Sequence, residues 1–322
     1  MKIISASRRT DIPAFYSQWF LNRIEAEFCH RLNPVSKQVY RVSLRPEDCL
    51  AIVFWTRYPR QLMPYLDLLK NRGYCFYFHF TITGYQKAIE NHNPPLKLAI
   101  QAFQELSQQL SSHQVQWRYD PIILSNITPE SYHVKQFDYL SQQLEGYTQR
   151  CYFSFVDFYQ KTERNLGKVA RQNQIQFQHP TLEQQKQLVE KIRDIATSRG
   201  ITLYSCCNDQ LVGEGVEKAH CIDFDLLQKL QPDIHHRLKA APTRQDCGCV
   251  ESADIGVYET CTFGCQYCYA TNKHETAVKR LQEHDPSDTV LWRPPELCGI
   301  DLTTREYRKK PKKAEIINPS LF

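Results

Sequence analysis

The chain has 322 residues, of which 42% are hydrophobic and 23% charged, and its formal net charge at pH 7 is +5. It can bury a sizeable core in one large domain or two small ones. No segment has the long uncharged apolar run of a membrane helix, and Arg8, Arg9 and Asp11 stand where a signal peptide needs its apolar centre. We therefore expect a soluble cytoplasmic protein without a membrane partner.

Short apolar runs alternate with amphipathic segments up to about residue 230. The runs are rich in Ile, Val, Phe and Tyr and only partly alternating, which is typical of buried parallel strands. Six strands are predicted, at residues 2–7, 50–55, 74–82, 115–119, 151–157 and 201–205.

Helices are predicted between these strands. Thr181 and Gln184 form the capping box of one helix, and Gly200 can end it in a left-handed conformation. Another helix is expected to begin with Thr128 as its cap and to end at Gly146. An apolar stripe predicts a third helix, with Leu96, Ile100, Phe103, Leu106 and Leu110 on one face.

A β/α series of this length forms either a barrel, complete or partial, or a doubly wound sheet. No G-x-G-x-x-G follows the first strand, so a dinucleotide-binding sheet has no positive support. We predict the α/β class, with a full or partial (β/α) barrel over residues 1–240. A C-terminal cysteine-rich, cluster-binding segment over 241–300 would complete or cap the barrel, and 301–322 would form a basic tail.

Polar and ionisable residues directly follow the predicted strands, as they do at the active-site face of a β/α barrel. Strand ends also meet solvent and are often polar for that reason alone. This explanation accounts poorly for an Arg and an Asp within the apolar sequence "QWRYDPIIL", where each buried charge needs a partner. The candidate catalytic or pocket residues are Arg8, Arg9, Asp11, Arg57, Arg118, Asp120 and Asp157. Arginines at such a face suit a carboxylate or a phosphate.

Cysteine is the unusual component, with 13 residues in the chain. In a reducing compartment, clustered cysteines favour metal or redox chemistry over disulfides. Nine of them lie between residues 200 and 300, at positions 206, 207, 221, 247, 249, 261, 265, 268 and 298. The other four, Cys29, Cys49, Cys75 and Cys151, are expected to be small buried hydrophobic residues.

Cys261, Cys265 and Cys268 offer three thiols within eight residues. A structural zinc site needs four ligands, and His274 is close enough in sequence to be the fourth. An iron–sulfur cluster is the alternative. Three cysteines hold three irons of a [4Fe–4S] cube and leave the fourth iron open to a ligand that is not protein.

The stretch "CTFGCQYC" resembles the C-x3-C-x-aromatic-C motif of radical S-adenosylmethionine enzymes, with Tyr267 in the aromatic position. The resemblance implies a [4Fe–4S] cluster on the three cysteines, S-adenosylmethionine on the open iron, and a deoxyadenosyl radical that abstracts hydrogen from an unknown, small-molecule substrate. It also implies an electron donor such as a flavodoxin or ferredoxin. The fold of that superfamily, a full or partial β/α barrel, agrees with the strand pattern.

Almost the full length of the chain also resembles domain-of-unknown-function family 1848. The stretches that carry this resemblance are "SASRRTDIPAFY", "VFWTRYP", "WRYDPI", "SFVDFY", "CIDFDLL" and "CGCVESADIGVYETCTFGCQYCYA". This family implies no particular reaction.

The position of the motif departs from the radical S-adenosylmethionine pattern. Those enzymes usually carry it after the first barrel strand, whereas here it comes last. Either the barrel is permuted, with residues 255–259 as a cluster-bearing strand beside the first strand, or the cysteine segment is an appended lid. No Gly-Gly-Glu follows the second strand to hold the methionine amino group. We expect Gly264 to supply unusual backbone angles, and Tyr267 and Tyr269 to shield the cluster from water.

A second metal site is predicted from the remaining late cysteines. Cys247 and Cys249 cannot close tetrahedral coordination alone, but they could do so with two of Cys206, Cys207 and Cys221. The metal would be zinc or an auxiliary iron–sulfur cluster. The simpler alternative is that Cys206 or Cys207 packs in the core. Cys298 is expected to take no part.

Two other functions compete with the radical enzyme. One is a non-enzymatic zinc or iron–sulfur metalloprotein. The other is a nucleic-acid-binding protein that uses aromatic residues and its basic tail. The tail residues concerned are Arg305, Arg308, Lys309, Lys310, Lys312 and Lys313. A solvated tail is the commoner role for such a run.

Overall fold

The structure, a computed structural model, describes residues 1–36, 38–234 and 238–304, and it confirms the predicted α/β class. The strands are β1 (Lys2–Ala6), β2 (Phe28–Leu32), β3 (Val39–Ser43), β4 (Cys49–Thr56), β5 (Phe76–Thr81), β6 (Val115–Ile122), β7 (Arg150–Phe155), β8 (Thr202–Ser205), β9 (Val216–Lys218) and β10 (Ser252–Asp254). The helices are α1 (Ile12–Phe15), α2 (Ser17–Glu25), α3 (Leu66–Asn71), α4 (Leu96–Gln109), α5 (Glu130–Leu144), α6 (Gln160–Asn173), α7 (Leu182–Ser198), α8 (Phe224–Leu230) and α9 (His274–Gln282). All six predicted strands are present.

The chain divides into two compact units. The first contains Met1–Phe76, Glu251–Thr262 and 270–304 of the described residues, and the second contains Tyr77–Val250 and Phe263–Tyr269. Cys261 therefore belongs to the first unit, and Cys265 and Cys268 belong to the second. The predicted division at residues 240 and 300 stays a prediction.

In the first unit, β10, β1 and β4 lie side by side in that order, and all are parallel. Ile4 pairs with Ala253 on one side and with Ile52 on the other. The antiparallel pair β2 and β3 was not predicted. The strand predicted at 255–259 is wrong in position. The strand beside β1 is β10, which begins three residues earlier, at Ser252. The chain turns away at Gly256, where a Cβ would lie 2.0 Å from Ser7 Oγ.

In the second unit the strand order is β5, β6, β7, β8, β9, and every pairing is parallel. The crossovers between β5 and β8 contain helices, as parallel strands require. Taken separately, neither unit's described strands close into a barrel. A full or partial barrel therefore stays a proposal.

Apolar burial explains why these segments form strands and helices. In β4 every residue except Trp55 is buried, as expected for a strand covered on both faces. The capping box of Thr181 and Gln184 begins α7 as predicted. The prediction that Thr128 caps α5 is wrong: Pro129 takes that position, and Thr128 Oγ1 instead donates to the Ile123 carbonyl at 2.7 Å.

In the described part of the chain, no helix is long and apolar enough to cross a lipid bilayer. The basic residues predicted to contact nucleic acid, from Arg305 to Lys313, lie outside the described residues.

Candidate functional site

The predicted pocket residues fall into two groups. Arg8, Arg9, Asp11 and Arg57 lie in the first unit, just after β1 and β4. Arg118, Asp120 and Asp157 lie in the second unit, within β6 and just after β7.

A buried aspartate that sequence reasoning missed organises the first group. Asp254, at the end of β10, accepts hydrogen bonds from Ser5 Oγ at 2.6 Å, Ser7 Oγ at 2.8 Å and the Arg8 backbone N–H at 2.9 Å. Arg9 Nε lies 3.9 Å from Asp254 Oδ1, the oxygen that also accepts from Ser7. Burial alone would raise the pKa of this carboxyl, but the Arg9 charge and these hydrogen bonds hold the pKa below its ordinary value. The chain after β1 is thus fixed around a carboxylate.

Asp11 has a structural task in the first unit. Its Oδ1 caps α1 by accepting the Ala14 N–H at 2.9 Å, and its Oδ2 accepts the Arg57 backbone N–H at 2.6 Å. The carboxyl group therefore links the start of α1 to the end of β4. Burial raises the pKa of Asp11 to about 7, against these hydrogen bonds and one with Thr56.

Arg8 and Arg9 are partly exposed and each lies over an aromatic ring. The Arg8 guanidinium lies 5.3 Å from the Trp55 ring centre, and that of Arg9 lies 5.0 Å from the ring of Tyr258. Such stacking orients a guanidinium without occupying all of its donors.

Glu259 closes the stem of the loop that carries the three motif cysteines. It adopts a left-handed conformation with a φ of 60°, which is uncommon outside glycine. Its backbone N–H donates to Ala270 O at 2.9 Å, and its carboxylate accepts the N–H of Asn272 at 2.9 Å and that of Lys273 at 3.2 Å. Thr271 Oγ1 also donates to Cys261 O at 3.4 Å.

In the second unit, the motif segment is held by the chain that follows β5. Gln266 N donates to Ile89 O at 3.0 Å, and His92 N donates to Phe263 O at 3.1 Å. The side chain of Glu90 is buried and accepts hydrogen bonds from Thr83 Oγ1 at 2.7 Å, Asn93 Nδ2 at 2.6 Å and the Tyr267 hydroxyl. Glu90 was also missed by sequence reasoning.

The local geometry of the motif agrees with part of its predicted form. Gly264 has a φ of +66°, the left-handed conformation expected for it. The three motif cysteines are all partly exposed. The Tyr267 ring packs on a small apolar cluster of Tyr85, Ile89 and Ile123, whereas 48% of Tyr269 is exposed. That these tyrosines shield a cluster stays a prediction.

Five of the other late cysteines form a second group in the second unit, which we call the thiol ring. Cys206 and Cys207 follow β8, Cys221 follows β9, and Cys247 and Cys249 lie on the segment before β10. Cys206 Sγ lies 3.8 Å from Cys207 Sγ and 3.6 Å from Cys221 Sγ. Side-chain interactions also join Cys207 to Cys247, Cys247 to Cys249, and Cys249 to Cys221.

Two arginines donate to sulfur atoms of the thiol ring. Arg118 Nη1 lies 3.2 Å from Cys221 Sγ, while its other nitrogens pair with the Asp120 carboxylate. Arg244 Nη2 lies 3.8 Å from Cys206 Sγ, and its Nη1 lies 2.7 Å from Asp157 Oδ2. The structure thus brings Arg118, Asp120 and Asp157 together around cysteines. Arg244 was not predicted.

The pKa values of the ring thiols are shifted in different directions. Hydrogen bonds with Cys207 and Cys249 lower the pKa of Cys247, whereas hydrogen bonds with Cys206 and Cys247 raise the pKa of Cys207. As the side chains stand, no three His, Cys, Asp or Glu side chains in the described residues are arranged to hold one metal ion.

The remaining cysteines behave largely as predicted. Cys29, Cys49 and Cys151 are buried, and Cys75 is partly exposed. Burial raises the pKa of Cys29 and Cys49 to about 12 and that of Cys75 to about 11, as expected for thiols without a chemical role. Cys298 is exposed.

Comparisons with known proteins identify the family. No curated protein matches the chain. A solved structure described as "a putative alpha-L-fucosidase" from Bacteroides thetaiotaomicron VPI-5482 is 12% identical, over 74% of this chain and 83% of that one, with a TM-score of 0.26. A likeness this weak supports no inference. The family described as "Domain of unknown function (DUF1848)" matches residues 3–270, so the chain belongs to the DUF1848 family.

Proposed function

We propose that this protein is a radical S-adenosylmethionine-type enzyme in which Cys261, Cys265 and Cys268 hold a [4Fe–4S] cluster with one open iron. The chemistry that the cluster and S-adenosylmethionine supply when bound is a one-electron reductive cleavage that yields a radical able to abstract hydrogen from a substrate. The electron would come from a flavodoxin- or ferredoxin-like donor.

The observation that carries the proposal is the way the motif loop is held. Its stem is closed by Glu259, and Tyr267 within it hydrogen-bonds the buried Glu90. All three cysteines of the loop are partly exposed, whereas Cys29 and Cys151 elsewhere are fully buried. An anchored loop that leaves its thiols accessible suits a cluster with an open iron better than it suits core packing.

The position of β10 supports the permuted form of the predicted barrel. Because this strand lies parallel to β1 and precedes the motif loop, we assign it the role of the cluster-bearing strand in a partial barrel. The late position of the motif then reflects chain order alone.

Arg8 and Arg9 are the residues that we assign to an anionic ligand in the first unit. Asp254 fixes the Arg8 backbone and the Arg9 side chain, which limits the positions that their guanidiniums can take. A planar guanidinium suits a carboxylate, either of S-adenosylmethionine or of the substrate.

Anaerobic purification and reconstitution test the proposal. We expect iron and sulfide in a [4Fe–4S] ratio, and 5′-deoxyadenosine when the protein is given S-adenosylmethionine and a low-potential reductant. Cys261→Ala, Cys265→Ala or Cys268→Ala should each lose most of the iron and all of the cleavage, with the circular dichroism spectrum kept. Cys298→Ser is the matched control. A triple alanine variant that keeps its full iron and sulfide would show that the cluster belongs to other cysteines.

A further inference from the structure

We propose that the thiol ring of Cys206, Cys207, Cys221, Cys247 and Cys249 is a mononuclear zinc site in which four of the five sulfurs bind the metal. This site is separate from the three-cysteine motif and does not depend on the proposed radical chemistry.

The spacing of the sulfur atoms indicates the kind of metal centre. Zinc–sulfur bonds of about 2.3 Å in tetrahedral geometry place two bound sulfurs ~3.8 Å apart. The two measured separations, 3.8 Å for Cys206–Cys207 and 3.6 Å for Cys206–Cys221, match this edge. In a [4Fe–4S] cube each cysteine binds a different iron, which places the sulfurs much farther apart. Two sulfurs in ordinary contact also have this separation, so the spacing permits a single metal ion and is too short for an auxiliary cluster.

As the side chains stand, the sulfurs do not converge on one centre. A cysteine sulfur moves by rotation about the single Cα–Cβ bond, and staggered alternatives are available to it. Because Cys206 Sγ already lies at the separation of bound ligands from the sulfurs of Cys207 and Cys221, we expect closure by such rotations without movement of the strands.

The two arginines place positive charge beside the sulfurs of Cys221 and Cys206, which favours thiolates at these positions. A neutral thiol is a weak hydrogen-bond acceptor, so it offers little to the guanidinium of Arg118, which is 7% exposed. Thiolates would satisfy Arg118 and Arg244, but several thiolates in contact repel one another strongly where water is scarce. A bound divalent cation removes this conflict, since it compensates the thiolates while each arginine keeps a carboxylate partner, Asp120 or Asp157.

The backbone around the ring also favours ligation. Cys207 has a φ of 58°, a conformation that is strained for a residue with a side chain and that clusters at functional sites. The Ile222 backbone N–H donates to Cys249 Sγ at 3.4 Å, and Thr243 Oγ1 lies 3.5 Å from Cys247 Sγ. Donors of this kind stabilise metal-bound thiolates and orient them.

The ligands come from three places in the chain, after β8, after β9 and from residues 247–249. That last segment is tied back by the Ala240–Val250 bridge. One metal would join all three places in a part of the second unit whose described residues include a short strand, β9, and a short helix, α8. We therefore assign the metal a structural role.

The test uses full-length protein in which Cys261, Cys265 and Cys268 are replaced by alanine, so that iron at the motif does not interfere. We expect one zinc per chain and no sulfide by elemental analysis. Cobalt(II) exchanged into the site should give the intense visible bands of tetrahedral coordination and a thiolate charge-transfer band. The same analysis of the protein with its motif intact shows whether the zinc content is independent of the cluster.

Serine variants of the ring then identify the ligands. At least four of the five single Cys→Ser variants should lose most of the zinc, and Cys298→Ser should keep it. The proposal is overturned if the parent protein binds no zinc, if two or more of the five variants keep it, or if cobalt gives no thiolate band. Because the cobalt spectrum needs no ring variant, misfolding of the serine variants does not remove the test. If the protein with its motif intact binds zinc but does not cleave S-adenosylmethionine, that result counts against the proposed function alone.

Discussion

The Tyr267 hydroxyl donates a hydrogen bond to the carboxylate of Glu90, which is 3% exposed. The two residues are 177 positions apart in the chain. Tyr267 lies between the last cysteines of the motif, and Glu90 follows β5. This bond therefore fixes the position of the segment that holds Cys265 and Cys268 within the second unit.

Removing the Tyr267 hydroxyl should loosen the motif segment. Tyr267→Phe takes a donor from a buried carboxylate, which costs about 1–3 kcal/mol of the free energy of unfolding. We expect a lower midpoint of thermal unfolding by circular dichroism and less iron after reconstitution. Tyr269→Phe is the matched control, because Tyr269 is largely exposed. Equal iron and equal midpoints in the two variants would show that the bond does not hold the loop.

Gly264 should resist substitution because of its backbone conformation. Its φ of +66° costs an L-residue about 1–2 kcal/mol, so Gly264→Ala should strain the turn between Cys261 and Cys265. We expect less cluster per chain and a lower unfolding midpoint. Gly213→Ala serves as the control, since Gly213 has an ordinary φ and no heavy atom within 4 Å of an added Cβ. If the two alanine variants bind equal iron, the turn does not need glycine.

Asp11 should make stability depend on pH between about 4 and 7. Its pKa in the folded protein is about 7 against an ordinary value of 3.8, so folding takes up a proton in this range. The resulting stabilisation is complete below the unfolded pKa and is lost as the pH rises through 7. Asp11→Asn cannot titrate, so the difference in unfolding midpoint between wild type and variant should shrink from pH 4.5 to pH 8. Parallel curves over this range would contradict the raised pKa.

Much of the fold follows from local sequence. The strand β4 is a run of apolar residues, and the capping box of α7 joins Thr181 to Gln184, three positions away. Both features are decided by residues close together in the chain, so pattern and spacing are enough to predict them. The three-cysteine motif is readable for the same reason.

Even local signals fail where a neighbouring contact competes. Thr128 has the chemistry of a helix cap, but its hydroxyl bonds to Ile123 O and leaves the cap position to Pro129. The strand expected at 255–259 lies at Ser252–Asp254 instead. The chain after it passes close to Ser7 at Gly256.

The sequence alone determined the α/β class, the six principal strands and the clustering of cysteine and charge at their ends. Only the tertiary structure decided which of these groups meet. Asp254 binds Ser5 across 249 residues, and Arg118 reaches Cys221 across 103. Hydrophobic periodicity reports which face of an element is buried, whereas a polar contact of this kind depends on strand order and register. Strand order and register are set by the packing of the whole sheet, so no local pattern could have identified these partners.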